Sequence, residues 1–332
     1  MSDGDGEAMA SVATSEQTSA GGPREPQASR RSLPAALLAA IRPRQCITKN
    51  LLVFTSLIFA SRPQAGYAAI SLLDLVPILE ATAAYLLFSA TSASVYLLND
   101  LKDVEQDRLH PRKRFRPIAA GELPVSLAWL ACAALIILAL VGAALMSPLL
   151  AVVVGAYFAV QVGYSFGLKH QVILDVFIIS SGFVLRAVAG AVAIGVPISP
   201  WFYALLGLGA LFLGFGKRRA EIMLLTEAAG QHRRVLEEYS ATLLEELIAI
   251  VIASIVMAYA LYTFSAENLP DNHAMMLTIP FVLYGLFRYL YLVYRKNEGG
   301  SPEQVLLADR PLLATIVLWL FSCVFILNYP CP

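Results

Sequence analysis

Apolar runs of about twenty residues recur along this chain, and they narrow its folding options more than any other property. A helix of that length crosses the hydrocarbon layer of a bilayer, where every backbone polar group has to be satisfied within the segment. Nine segments qualify as candidate spans: roughly 50–62, 75–98, 124–146, 149–166, 172–195, 199–216, 242–264, 274–294 and 311–328. The first is the shortest. Pro63, Pro124, Pro148, Pro197, Pro200, Pro270 and Pro311 all stand at or just outside span ends. Composition agrees, with 58% hydrophobic and 14% charged residues against averages of about 45–50% and about 25%. The expected fold is therefore all-α and polytopic, with about nine transmembrane helices.

The remaining composition excludes several classes. Positive and negative side chains balance at 24 each, which gives no global electrostatic case for nucleic acid. The cysteines Cys46, Cys132, Cys323 and Cys331 form no CxxC pair and the four histidines are scattered, so neither a disulfide framework nor a zinc site is expected. Residues 1–33 are rich in Ser, Gly, Ala, Pro and charge and lack an apolar period, which reads as a disordered tail. Asp3, Asp5 and Glu7 stand where a signal peptide would be basic. Residues 34–332 read as one membrane domain.

Charge also sets the orientation. With the N-terminus inside, the inner segments 1–49, 99–123, 167–171, 217–241 and 295–310 hold 21 of the 24 Lys and Arg residues. Arg186 and Arg288 lie within spans, and Arg62 alone remains for the outer loops. The positive-inside rule places the basic loops, and any polar site among them, on the cytoplasmic face.

After the second span comes Asn99-Asp100-Leu-Lys-Asp103-Val-Glu-Gln-Asp107. On a helix its three aspartates, at i, i+3 and i+7, fall within about 60° of arc and form one acidic stripe. Such a stripe repels itself unless neutralised, and a hard divalent cation such as Mg²⁺ shared with a phosphate is a natural partner. A solvated helix end paired with Lys102 and Arg108 is the plain alternative. Downstream run Arg108, His110, Arg112, Lys113, Arg114 and Arg116. A carboxylate stripe beside a cationic loop suits Mg²⁺–diphosphate chemistry, although the basic part alone would also serve anionic lipid or topology.

The pattern NDxxDxxxD followed by RxxPxKRxRPIAAG resembles the first Asp-rich motif of the UbiA superfamily of intramembrane prenyltransferases. More narrowly, the chain resembles the decaprenyl-phosphate phosphoribosyltransferase branch. Supporting stretches include Arg42-Pro43-Arg44-Gln45, Lys49-Asn50, Tyr164-Ser165, Leu168-Lys169-His170 and Asp175. Others are Phe183 to Gly190, Gly216 to Glu221, Arg288 to Leu292 and Asp309-Arg310-Pro311. The resemblance implies nine helices around a lipid-open central cavity, with Mg²⁺ held by Asp100, Asp103 and Asp107 at a cytosolic site. It makes Lys169 a phosphate ligand and Tyr164 a wall or hydroxyl contact. Lys49, Asn99, Arg112, Lys113, Arg114, Arg116 and Lys217 complete the expected substrate-binding set, together with Asp175 and Arg186.

The chain also departs from these patterns. The superfamily's second DxxxD element begins at Asp175, but Ile179 stands where its second carboxylate should be. An aromatic expected shortly after Gln45 is replaced by Cys46-Ile47-Thr48. Asp175 remains a candidate for a metal or a sugar hydroxyl. On its helix Asp175, Gly182 and Arg186 lie within about 40° of one another, and Arg186 is about 16 Å along the axis from Asp175. A charge at the centre of a membrane helix costs about 2.5–3.5 kcal/mol, so Arg186 should face a polar cavity or a partner. It is either tied to acids or carbonyls or is a deep phosphate contact. Arg288 can snorkel. Of Lys217, Arg218 and Arg219, at least one should only anchor its helix, with Glu221 as a partner. The segment 221–247 reads as a solvated amphipathic helix without chemistry of its own.

The leading expectation is transfer of a phosphoribosyl group from 5-phosphoribosyl 1-diphosphate to a polyprenyl (decaprenyl) phosphate in the plasma or inner membrane. The acceptor is already an anion, so no general base is needed. Prenyl transfer to an aromatic or other small acceptor is the alternative, and a transporter or lipid scaffold a third class. Polyprenol length, metal stoichiometry and oligomeric state, a homo-oligomer included, stay open at this level.

Overall fold

The computed structural model describes residues 31–60, 74–111, 113–197, 199–227, 238–266, 272–295 and 308–328, with Leu269 and Val305. All but the last three residues of the expected tail lie outside that range, as does Arg112.

Every regular element among the described residues is helical. In chain order these are α1 (Leu33–Ile41), α2 (Pro43–Asn50), α3 (Thr55–Ala60), α4 (Leu75–Lys102), α5 (Val104–Leu109) and α6 (Val125–Met146). Then follow α7 (Pro148–Phe166), α8 (Leu174–Ala193), α9 (Pro200–Glu227), α10 (Ala241–Ser265), α11 (Ile279–Arg295) and α12 (Arg310–Asn328). Short 3₁₀ turns occupy Leu51–Phe54, Lys113–Phe115, Leu168–His170 and Ala274–Thr278.

Eight of these are long and apolar enough to cross a membrane: α4, α6, α7, α8, α9, α10, α11 with its preceding 3₁₀ turn, and α12. They match the second to ninth expected spans. The first expected span instead starts on the last residue of α2 and divides into the 3₁₀ turn and α3, with residues 61 and 62 outside the described residues. Its hydroxyls explain the break: Thr55 and Ser56 donate to the carbonyls of Leu52 and Val53 at 2.6 and 2.9 Å, which competes with helical bonding. At its other end α9 runs to Glu227, well past the expected limit of 216, because the charged residues there have ion-pair partners.

The acidic stripe is not one unbroken helix either. Asp103 sits between α4 and α5 at φ −92°, ψ 9°. The i to i+4 bonds Asp103 N to Asn99 O (3.0 Å) and Asp107 N to Asp103 O (2.8 Å) nevertheless continue through it. The helical phase therefore survives the bend.

Two packing groups meet on α8. One joins α4, α6, α7 and α8 through Phe88, Ala139, Leu150, Val154 and Ala189. The other joins α8, α9, α10, α11 and α12 through Val176, Phe215, Leu244, Ile248, Leu292 and Leu312. Large apolar side chains point outward instead on α6 (Leu130, Ile137, Leu138) and α12 (Val317, Leu318, Phe321), as lipid-facing surfaces should.

One close approach fixes the start of the bundle against α8. A methyl group built on Gly190 would lie 1.9 Å from the carbonyl oxygen of Val53 and 2.8 Å from Ser56 Oγ, whereas one on Gly209 meets nothing within 4 Å. Gly190→Ala is expected to destabilise the protein by about 1–3 kcal/mol through backbone displacement. Thermal unfolding in detergent would register this as a lowered Tm, with Gly209→Ala melting close to the parent.

Candidate active site

The basic end of the bundle is built where α4, α7 and α9 finish and α8 begins. Asp100, in the last turn of α4, is 2% exposed and accepts Arg42 Nη2 at 2.6 Å and Arg116 Nη1 at 3.1 Å. Asp107, also 2% exposed, accepts the same Arg116 nitrogen at 2.6 Å and has Lys113 Nζ at 4.0 Å. Asp103 is half-buried and accepts Lys169 Nζ at 3.0 and 3.3 Å. Three carboxylates thus interleave with four cations drawn from α1–α2, the loop after α5 and the turn after α7. Asn99 joins them, its Oδ1 against the hydroxyl of Ser165.

The donor set fits a hard divalent cation. Among the described residues no three His, Cys, Asp or Glu side chains converge into a closed metal cage. Mg²⁺ does not need one: it is ordinarily held by one or two carboxylates plus substrate phosphates. Asp100 Oδ2 is buried without a hydrogen-bond partner, and such an oxygen costs about 1–3 kcal/mol unless something coordinates it. Asp100 and Asp107, already bridged by one arginine nitrogen, are the pair best placed to share a cation, with Asp103 beside them.

Position 175 is arranged differently. Asp175 is 0% exposed and both its oxygens are engaged: Oδ2 accepts Arg218 Nε at 2.9 Å and Oδ1 accepts the Tyr239 hydroxyl at 2.8 Å. Arg218 Nη1 donates to Glu221 at 2.6 Å. With Ile179 at the next position of the motif, these residues do not fit a second metal. Burial, and next the bond to Asp175, push the Tyr239 hydroxyl above the ordinary phenol range, so it remains a donor. Arg219, by contrast, anchors α9 through Glu245 at 2.8 Å and the Val293 carbonyl at 3.4 Å. Arg288 is paired with Asp309, Nε to Oδ1 at 3.1 Å and Nη2 to Oδ2 at 2.9 Å. Its charge is met within the protein by that pair.

Deeper between the helices, Arg186 is 6% exposed. Its Nε donates to Asn50 Oδ1 (2.7 Å), Nη1 to the Gly182 carbonyl (2.5 Å) and Nη2 to the Tyr157 hydroxyl (2.9 Å). Its guanidinium carbon also lies 5.1 Å from the Tyr157 ring centre. Among the described residues it makes no ion pair, so its charge is met only by neutral dipoles and aromatic faces. Asn50 completes the node by donating to Ser89 and Ser92 at 3.0 and 3.3 Å.

The structure thus gathers Asn99, Asp100, Asp103, Asp107, Lys113, Arg116 and Lys169, and places Tyr164 within electrostatic reach of Arg218. Lys49, Arg114 and Lys217 are exposed, with Arg114 stacked over Phe115 at 4.9 Å. Arg112 lies outside the described residues. Sequence reasoning left Arg42, Asn50, Tyr157 and Tyr239 off the site. Arg42 has a usable signal, since Pro43 ends α1 behind it and turns it toward the bundle at φ 52°. Asn50, the last polar residue before the apolar run Leu51–Phe54, has another.

An all-helical membrane bundle with carboxylates and cations interleaved at one end is a class with known members. The model for the UbiA prenyltransferase family matches residues 52–308, and this chain belongs to that family. It is 37% identical over 289 residues to the decaprenyl-phosphate phosphoribosyltransferase of Mycobacterium tuberculosis (strain ATCC 25618 / H37Rv), covering 87% of this chain and 93% of the relative. The enzyme of the same name from Corynebacterium glutamicum is 37% identical over 308 residues, covering 91% of this chain and 89% of the relative. Among solved structures, a UbiA homolog from Archaeoglobus fulgidus bound to GPP and Mg²⁺ aligns with a TM-score of 0.63 at 18% identity, covering 88% of this chain and 99% of that one. The last likeness establishes the fold.

The Arg186 node yields a stability prediction. Asn50→Leu removes the acceptor of a charged donor in an apolar interior and should cost about 1.5–3 kcal/mol. A thermal melt no different from the parent would show that Arg186 draws nothing from Asn50.

Proposed function

We propose that this protein transfers the 5-phosphoribosyl group of 5-phosphoribosyl 1-diphosphate to a polyprenyl phosphate such as decaprenyl phosphate, releasing diphosphate. What carries the reading is one coincidence: near-full-length similarity to phosphoribosyltransferases, together with buried carboxylates rimmed by Arg42, Arg116 and Lys169. Prenyl transfer is less well supported, because Asp175 is committed to Arg218 and Tyr239.

The lipid phosphate attacks the anomeric carbon as an anion while the bond from that carbon to diphosphate breaks. The barrier therefore lies in diphosphate departure, and no side chain has to remove a proton. Mg²⁺ bound by Asp100 and Asp107, with Asp103, would supply Lewis-acid stabilisation of the charge developing on the leaving group. Arg42, Arg116 and Lys169 can exchange their carboxylate partners for phosphate oxygens. Arginine holds these in bidentate geometry and lysine as a point charge. Asn99 and Tyr164 offer neutral contacts beside them. Arg186 lies farther in, where a preorganised cation in a water-poor interior is effective, and serves as a phosphate contact for the lipid substrate. The positive-inside asymmetry supports a cytoplasmic orientation for this end in the plasma membrane, an orientation that would give a water-soluble sugar diphosphate access.

Purified protein in detergent, given Mg²⁺, labelled 5-phosphoribosyl diphosphate and decaprenyl phosphate, should pass label into the organic phase. EDTA should abolish the transfer. Asp103→Asn and Asp100→Asn should each lower kcat/KM by about a hundredfold, a loss of about 2.7 kcal/mol in transition-state stabilisation. Folded protein that labels no lipid across several polyprenyl phosphates would overturn the assignment.

A further inference from the structure

The turn that delivers Lys169 to Asp103 is held by a residue from far along the chain. Between the 3₁₀ turn Leu168–His170 and α8, the Leu174 N–H donates to the Val172 carbonyl at 2.7 Å, and Ile173 between them lies at φ 69°, ψ −49°. This is the rare, strained form of the γ-turn, and a β-branched residue is poorly suited to it. Such a conformation persists only where its surroundings over-determine it. Here the Ile173 N–H donates to the Tyr239 hydroxyl at 2.6 Å, and that hydroxyl donates onward to Asp175 Oδ1 at 2.8 Å. The one phenolic oxygen thus accepts once and donates once, and a phenyl ring can do neither. Tyr239 is 5% exposed and Asp175 0%, so the pair lies out of bulk solvent. Arg218, bonded to the other oxygen of Asp175, holds the carboxylate in place.

We propose that Tyr239 is a positioning residue for Lys169. Clamped by Asp175, its hydroxyl stabilises the strained turn at Ile173 and so sets where the lysine ammonium meets Asp103 and a substrate phosphate. The connector before α10, for which the sequence suggests no chemistry, thereby tunes phosphate binding from its described end. The idea rests on the proposed function only for what the phosphate belongs to. Position 175, a metal-ligand position in the family pattern, here acts through the turn.

The test uses full-length protein and inorganic diphosphate with Mg²⁺ as the calorimetric probe, so that it does not depend on turnover. Tyr239→Phe should weaken diphosphate binding about tenfold, and Lys169→Ala at least as much. The double variant should bind no more weakly than Lys169→Ala alone, because the hydroxyl acts only through that lysine. Adding Ile173→Gly to Tyr239→Phe should restore most of the affinity, since glycine adopts a positive φ without strain. Should Tyr239→Phe not fold alone, the cycle is run in the Ile173→Gly background, where the turn carries no strain and Tyr239→Phe should leave diphosphate affinity within about twofold; a loss of about tenfold there would overturn the proposal. Three results would each overturn the proposal: unchanged binding in Tyr239→Phe, unchanged binding in Lys169→Ala, or losses that multiply in full. Diphosphate binding that behaves as expected in a protein unable to transfer phosphoribose would remove the reaction and leave the positioning role standing.

Discussion

Charge buried at one end of an otherwise apolar bundle is the constraint from which the rest of this molecule follows. A carboxylate taken out of water is tolerated only when paired, and removing one partner of a buried pair costs about 3–5 kcal/mol. Asp100 and Asp107 meet that demand by sharing Arg116, and Arg42 reaches Asp100 from the break between α1 and α2. These pairs tie the first described helix, the end of α4 and the loop after α5 into one unit. Lys169 adds the end of α7 through Asp103, and Arg218 adds α9 and α8 through Asp175. The helices are long because the membrane is thick. They converge at this end because their charges have nowhere else to go.

The opposite solution appears at Arg186, which is held by an amide, a phenol and a carbonyl. Such a guanidinium stays attractive to an anion, because its neutral partners satisfy hydrogen bonds without cancelling charge. The node lies on α8, the helix common to both packing groups, and α8 also begins at the Asp175 cluster. One helix therefore connects the deep cation to the turn carrying Lys169, with Gly190 pressed against Val53 on its far part.

Most of the fold is legible in the sequence because apolar length is a local property, and eight spans follow from it directly. The break within the first span comes from Asn50, Thr55 and Ser56, whose polar groups bond to neighbouring chain, which run length does not register. At the site, the acidic stripe is legible because Asp100, Asp103 and Asp107 keep helical phase through the bend. Arg42 and Tyr239 are not, since they reach their aspartates across 58 and 64 residues of chain, and no local pattern encodes a contact at that separation. Lys217 shows the converse: it stands in a basic triplet whose other members turn inward, and only helical rotation decides which of the three is left outside.

The interleaved cluster has one more consequence, for the life of the protein before it meets a substrate. Because Arg42, Lys113, Arg116 and Lys169 already stand against the aspartates, the chain carries its own counter-ions. It can be inserted into a membrane and held there without waiting for metal or ligand to neutralise it. What arrives later competes with side chains for partners they already have. Entry is then an exchange of ions within a partly solvated cluster, and the same salts that screen that cluster set how readily it opens.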